Sequence, residues 1–347
     1  MGASRGPATP VPGHSRMEDV PPPLYPPFAP RAPWLGADLQ TVRNFVRGPA
    51  LSTLRAEGLE RLELPLRDGS GDVLLARLAR AAECGAAAPP DPPLVVLVHG
   101  LGGSEESPYV GVTTSHLRGR GWPVLQLNLR GAGASRARCR EQYHAGRTGD
   151  FRDALHALPP ELTANGVVAV GYSLGGNMLL KHAAEHGGVR GTVSISAPID
   201  LAEASQRFLH PRNRVYHLRL LTAMKAEVVA GGAAVGEEER RLLSGIRSIL
   251  EFDEKIVAPR NGYTGAADYY AKNHARQFLG AIRSPALVIH AQDDPWIPKQ
   301  AYTSFDWSSN AALTPLLPRG GGHVGFHGRG TRVPWHDRCL VRFLERL

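Results

Sequence analysis

The sequence predicts an α/β fold: a mostly parallel central sheet with helices on both faces and a helical insertion. Three observations carry that expectation. First, short and continuously apolar runs alternate with helical stretches, as strands buried on both faces require. They are Leu94 to Val98, Pro123 to Leu127, Val167 to Gly171, Thr192 to Ser196 and Ala286 to His290. Second, the strict alternation of Leu59-Glu60-Arg61-Leu62-Glu63-Leu64 marks a half-buried strand, and Asp68-Gly69 turns it toward a partner at Val73 to Leu78. That pattern is an antiparallel hairpin at a sheet edge. Third, the strand signal disappears between Asp200 and Ala281, where helical segments such as Arg214 to Ala230 and Glu237 to Phe252 replace it. This stretch, about 200–281, reads as a helical cap inserted into the sheet domain.

From the N-terminus, residues 1–33 are dominated by Pro, Gly and Ala and include Pro21-Pro22-Pro23. They hold too little apolar surface to fold alone and are expected to be disordered or draped over the rest. Residues 34–347 form the domain, since 347 residues at 42% hydrophobic content suffice for one large core. Ala81 to Pro93 is a linker of small residues and proline leading into the first buried strand. Beyond the insertion come the strand ending at His290, a short one near Leu313 to Leu317, and a closing amphipathic helix from Trp335 to Leu347.

Composition excludes several classes. No apolar run approaches the roughly 20 residues that span a bilayer. The N-terminus lacks a signal-peptide core, and Met1-Gly2-Ala3-Ser4-Arg5-Gly6 lacks the hydroxyl residue of a myristoylation motif. A cytoplasmic protein without an integral membrane anchor is expected. Cys84, Cys139 and Cys339 are odd in number and scattered, which argues against a disulfide framework, and none has metal-ligand spacing. Forty basic against 32 acidic residues give a charge of +8, but the arginines are dispersed with no aromatic interleaving, so nucleic acid is not implied. The densest set, Arg130, Arg136, Arg138, Arg140 and Arg147, reads as a solvated face, with a bias of a nearby site toward anions as the alternative. No cofactor is implied, and a monomer is assumed.

The chemistry centres on Gly171-Tyr172-Ser173-Leu174-Gly175. The motif alone is weak, but here a buried strand precedes it and a glycine-rich helix start follows, the strand-turn-helix of a nucleophile elbow. Side chains at 171 or 175 would collide with the neighbouring strand and helix. Such a turn presents Ser173 at the top of the sheet, with helix N-terminal amides behind it for an oxyanion.

Three further segments complete a constellation. His99-Gly100-Leu101-Gly102-Gly103 follows the first long parallel strand, where the second oxyanion donor belongs, so the backbone amides of Leu101 and Leu174 are the candidates. His99 itself reads as a buried brace of that loop. Ala291-Gln292-Asp293-Asp294-Pro295 places two carboxylates at a strand end, with Asp294 favoured as the acid and Asp293 as a turn stabiliser. Gly320-Gly321-Gly322-His323 offers an imidazole on a glycine-rich loop whose flexibility would let it reach Ser173. The order Ser173, Asp294, His323 is that of α/β-hydrolase triads and differs from the chymotrypsin and subtilisin orders. The chain is therefore expected to adopt the α/β-hydrolase fold.

From about Pro33 to Leu347 the chain resembles the YheT-type α/β-hydrolases, bacterial esterases related to the animal abhydrolase-domain lipid hydrolases. The resemblance rests on the segments just named together with Ser107-Pro108-Tyr109, Asn128-Leu129-Arg130-Gly131, Tyr143-His144-Ala145-Gly146, Asp268-Tyr269-Tyr270 and Gly325-Phe326. It implies hydrolysis of carboxylic esters, short-chain esters or monoacylglycerol-like lipids, by the same three residues. Animal relatives carry an N-terminal membrane anchor where this chain has a proline-rich tail.

Two other readings compete. His182-Ala183-Ala184-Glu185-His186 matches an inverted zinc-peptidase pattern, with two histidine ligands and Glu185 as base, yet it lies on the helix launched by the elbow. The other is a catalytically silent scaffold, against which all three triad positions hold competent residues.

Overall fold

A computed structural model describes residues 24–46, 59–81, 89–230 and 236–347. The Ala81–Pro93 linker and the first 33 residues thus fall partly outside the described residues. The strands are β1 (Leu59–Pro65), β2 (Val73–Ala79), β3 (Leu94–Val98), β4 (Val124–Leu127), β5 (Val167–Tyr172), β6 (Gly191–Ile195), β7 (Ala286–Ile289) and β8 (Leu313–Leu316). They form one sheet in the order β1-β2-β4-β3-β5-β6-β7-β8. The hairpin β1–β2 is antiparallel and occupies the edge, β2 joins β4 antiparallel, and every pairing from β4 to β8 is parallel. Strands β3, β5, β6 and β7 are buried at every residue, which is why β3, β5 and β7 read as continuous apolar runs, whereas β6 buries Thr192 and Ser194 between its apolar residues.

The helices of eight or more residues are α1 (Ala37–Val46), α2 (Pro108–Arg118), α3 (Thr148–Ala157), α4 (Leu174–Glu185), α5 (Leu201–Leu209), α6 (Arg214–Val229), α7 (Glu237–Gly245), α8 (Ala266–Asn273) and α9 (Trp335–Leu344). One apolar cluster, with Val95, Val170, Val193, Leu340 and Phe343, packs α2 and α9 on one side of the sheet. Another carries Leu78, Val96, Phe151 and Leu179 and packs α3 and α4 on the other. Between β6 and β7 the described residues form helices joined by short loops and no strand. The single helix expected over Glu237 to Phe252 is broken, because Ser248 caps a new turn by accepting the Glu251 amide at 3.0 Å. A five-residue π-helical stretch, Asp253–Val257, follows.

Helix α1 was not expected from the sequence. It lies beside the strand ends that carry the site, and residues 24–33 lead into it along the C-terminal segment. There Trp335 donates its indole N–H to the Pro26 carbonyl at 2.6 Å, and Arg31 N–H donates to the His327 carbonyl at 3.0 Å. Cys139 and Cys339 are buried free thiols. Among the described residues no helix is long and apolar enough to cross a membrane.

Candidate active site

Ser173 joins β5 to α4 at φ 50° and ψ −121°, a left-handed backbone that is costly for a residue with a Cβ. Packing imposes it. A Cβ on Gly171 would lie 2.5 Å from the Gly175 carbonyl carbon, and one on Gly175 would lie 2.5 Å from the His99 carbonyl oxygen. Both positions therefore exclude side chains, on the helix side and the strand side respectively. The Ser173 amide donates to the Ile195 carbonyl at 2.8 Å and ties the turn to β6.

His323 lies with Nε2 3.0 Å from Ser173 Oγ and Nδ1 2.8 Å from Asp294 Oδ2. The other carboxylate oxygen of Asp294 accepts the amides of Trp296 and Ile297 at 2.8 and 3.0 Å. Burial raises the Asp294 pKa, but the charge and hydrogen bond of His323 outweigh it, and the carboxyl is held below its ordinary value. An ionised Asp294 accepts only, so Nδ1 carries the imidazole proton and Nε2 is left to accept from the Ser173 hydroxyl. The Trp296 ring stacks on the imidazole at 4.2 Å between centroids. Asp293 turns instead to the glycine loop, where its Oδ1 accepts the Gly322 amide at 2.9 Å.

The loop bearing His323 departs from the flexibility expected of its glycines. Gly322 has φ +59°, and a Cβ there would lie 2.4 Å from the Ala37 carbonyl oxygen; one on Gly325 would lie 2.6 Å from the Gln40 carbonyl oxygen. Thr41 Oγ1 accepts the His323 amide at 2.8 Å, and Ser196 Oγ accepts the Val324 amide at 3.1 Å. The glycines allow α1 to pack closely, and the imidazole is fixed rather than free. The sequence signals that mark α1 are slight, Asp38 in its first turn and Arg43 in its last.

On the other side of Ser173, the loop His99 to Gly103 presses so close that a Cβ on Gly100 would sit 2.9 Å from the Ser173 Cβ. Its amides are nearly all occupied. Gly100 N–H donates to Tyr109 Oη at 3.0 Å, Gly102 N–H to Tyr143 Oη at 2.8 Å and Gly103 N–H to the Gly100 carbonyl at 3.0 Å. Among the described residues the Leu101 N–H has no acceptor. Leu174 opens α4, where an amide has no intrahelical partner. His99 donates from Nδ1 to the Gly100 carbonyl at 2.8 Å and accepts the Leu129 amide on Nε2 at 3.1 Å. Burial lowers its pKa to about 4, so it is a neutral brace.

Ser173, His323, Leu101 and Leu174 open on a cavity of about 920 Å³ whose far wall is apolar, with Leu201, Phe208, Met224, Ile249, Phe252 and Ile256. Of the arginine-rich segment, Arg140 and Arg147 line this cavity; Arg147 is paired with Glu141, whereas Arg140 makes no ion pair among the described residues. Arg130 is fully buried, paired with Asp150 at 2.8 Å and Glu141 at 3.1 Å, and Arg138 and Arg147 pair with Glu63 and Glu141.

The zinc-like motif has a different occupation. His182 Nδ1 lies 3.2 Å from the Thr148 carbonyl, while the Thr148 hydroxyl donates to Glu185 at 2.8 Å and lies 3.2 Å from His186 Nε2. All three residues converge on the start of α3 and bind it to α4. Among the described residues no group of three or more His, Cys, Asp or Glu side chains is placed to hold a metal ion.

Residues 93–329 match the family model of the alpha/beta hydrolase fold. Over 242 residues the chain is 38% identical to the putative esterase YheT of Escherichia coli (strain K12), covering 68% of this chain and 71% of that protein. This chain belongs to the YheT-type α/β-hydrolase family. With the Ser173–His323 hydrogen bond in place, this YheT-type protein is a serine hydrolase. It is also similar to a monoacylglycerol lipase of Saccharomyces cerevisiae, at 25% identity over 73% of this chain and 59% of the lipase. The fold recurs in an esterase of Pyrococcus furiosus, with a TM-score of 0.54 at 14% identity over 83% of this chain and 90% of that one.

Proposed function

We propose that the protein hydrolyses carboxylic esters through an acyl-enzyme, with Ser173 as nucleophile, His323 as general base and acid, and Asp294 as the residue that orients and stabilises the imidazole. The observation that carries this reading is the unbroken relay from Ser173 Oγ to His323 at 3.0 Å and from His323 to Asp294 at 2.8 Å. In the first half-reaction His323 Nε2 takes the Ser173 proton as Oγ bonds to the ester carbon. The carbonyl π-pair moves onto oxygen, where the amides of Leu101 and Leu174 receive it. Collapse expels the alcohol, which leaves with the proton from His323. Water then repeats the sequence on the acyl-enzyme and releases the acid.

The substrate class in this reading is a short-chain ester or a monoacylglycerol-like lipid. The apolar cavity wall suits an acyl chain, and the E. coli and yeast relatives bear names of an esterase and a lipase. The helices between β6 and β7 supply that wall, so we read residues of about 200–281 as a cap that selects the acyl group. A cytoplasmic setting belongs to the same reading, supported by buried free thiols at Cys139 and Cys339.

The test is labelling by a fluorophosphonate, followed by turnover on p-nitrophenyl esters of increasing acyl length. Wild-type protein is expected to be labelled at Ser173, and Ser173→Ala to lose the label together with about 10⁴-fold or more of its turnover. Full labelling of Ser173→Ala, or no turnover of any ester by wild type, defeats the proposal.

A further inference from the structure

The amide of Leu101 is useful to an oxyanion only if its direction is fixed before the substrate arrives. Two peptide planes meet at Leu101, and each is clamped. The carbonyl of the Gly100–Leu101 peptide receives His99 Nδ1–H at 2.8 Å and the Gly103 amide at 3.0 Å. Because a trans peptide holds N–H opposite C=O, these two donors set the direction of the Leu101 N–H. The next plane is held at its amide, which donates from Gly102 to Tyr143 Oη at 2.8 Å.

Tyr143 does not stand alone. Its hydroxyl donates in turn to Glu227 Oε2 at 3.1 Å, and the other oxygen of Glu227 lies 3.9 Å from Arg136. Glu227 belongs to α6, in the helical layer between β6 and β7, and Leu221, Met224 and Val228 of the same helix are packed into the apolar cluster of that layer. The same helix meets the loop one turn earlier, since a Cβ on Gly102 would lie 3.4 Å from the Ala223 Cβ. Positions 223 and 227 share one helix face, so α6 lies along the loop at two points. Both Tyr143 and Glu227 line the cavity that holds Ser173. Burial pushes Glu227 up to about 7, against the Tyr143 hydrogen bond and the charge of Arg136.

We infer that Glu227 of the helical layer acts through Tyr143 as a positioning residue, holding the Gly102 peptide so that the Leu101 amide faces the developing oxyanion. The inference rests on the proposed role of Leu101 as an oxyanion donor. It makes the helical layer a part of the reaction centre's scaffold as well as a wall for the acyl chain. Ordering between the two partners is also fixed. Tyr143 makes the contact with the loop, and Glu227 holds Tyr143.

The experiment compares the full-length wild type with Tyr143→Phe, Glu227→Gln, Glu227→Leu and the double variant Tyr143→Phe/Glu227→Leu. The readouts are kcat and KM on p-nitrophenyl acetate, whose acyl group is too small to need the cavity wall, and inhibition by a trifluoromethyl ketone that adds to the serine as a tetrahedral adduct. Tyr143→Phe and Glu227→Leu are expected to lower kcat by about 10- to 100-fold, less than loss of a whole oxyanion donor, with KM within about twofold. Affinity for the ketone should fall by the same factor. Glu227→Gln keeps an acceptor for the Tyr143 hydroxyl and should recover most of the loss, and the double variant should be no worse than Tyr143→Phe.

An active wild type with both single variants within about twofold in kcat overturns the inference, as does a loss confined to KM or an additive double variant. Should Tyr143→Phe fail to fold, by circular dichroism, Glu227→Leu against Glu227→Gln still decides. Absence of labelling and turnover in wild type would instead defeat the reading of the site on which the inference stands.

Discussion

At the scale of single residues, the division of labour between two adjacent aspartates is the sharpest feature of the site. Asp294 gives one oxygen to His323 and the other to the amides of Trp296 and Ile297, whereas Asp293 spends its contact on the Gly322 amide. Asp294→Asn would present an amide N–H or a neutral oxygen to Nδ1 and disturb the tautomer that leaves Nε2 free to take the serine proton. We expect it to lower kcat by about 10⁴-fold. Asp293→Asn keeps an oxygen for Gly322 and should stay within about tenfold. Steady-state kinetics of the two variants check the assignment, and the opposite ranking would move the acid role to Asp293.

At the scale of elements, the site is assembled where two loops are pressed against Ser173 by helices that flank the sheet. The His323 loop is seated on α1, and the His99–Gly103 loop is held by Tyr109 and Tyr143. Gly322→Ala would force a Cβ to 2.4 Å from the Ala37 carbonyl at φ +59°, which costs about 1–3 kcal/mol for the backbone alone and displaces α1 or the imidazole. Gly320→Ala is its control, since a Cβ there meets nothing nearer than Asp293 Oδ2 at 3.5 Å. The expected result is a lower denaturation midpoint and reduced turnover for the first, and near wild-type behaviour for the second. Equal behaviour of the two would show that the loop is as flexible as its glycine content suggests.

For the whole molecule, the buried titratable groups set how stability depends on pH. Burial lowers the pKa of His99, His182 and His290 to about 4 and of His144 and His336 to about 3. The unfolded chain protonates these imidazoles first as pH falls, so the stability they allow above about 6.5 is lost toward pH 4. Burial acts oppositely on Glu227, Asp253 and Asp337, which are raised to about 7. Their contribution is present below about 4 and lost as pH rises toward 7. His116, His217 and His327 are lowered as well, and Asp150 and Asp293 raised; these eight imidazoles outnumber the five carboxyls, so urea denaturation midpoints should rise between about pH 4.5 and 6.5. A flat or falling profile would mean that these imidazoles are charged in the folded protein.

The parallel sheet, the elbow and the order Ser173, Asp294, His323 are all readable along the chain because each rests on local sterics or on the periodicity of burial. Apolar runs without alternation mark strands covered on both faces, and Gly171 and Gly175 mark a turn that no side chain fits. The neutral bracing role of His99 was legible for the same reason, through its place beside a glycine loop. Helix α1 was not, nor were Trp296 against His323 or Glu227 behind Tyr143. Thr41 and His323 are 282 residues apart, and Tyr143 and Glu227 are 84 apart. No spacing rule spans such distances, since these partners meet only through the packing of whole elements. Motif and pattern thus point to the groups proposed to react, while the groups that hold them in place are chosen by which helix the folded sheet brings alongside.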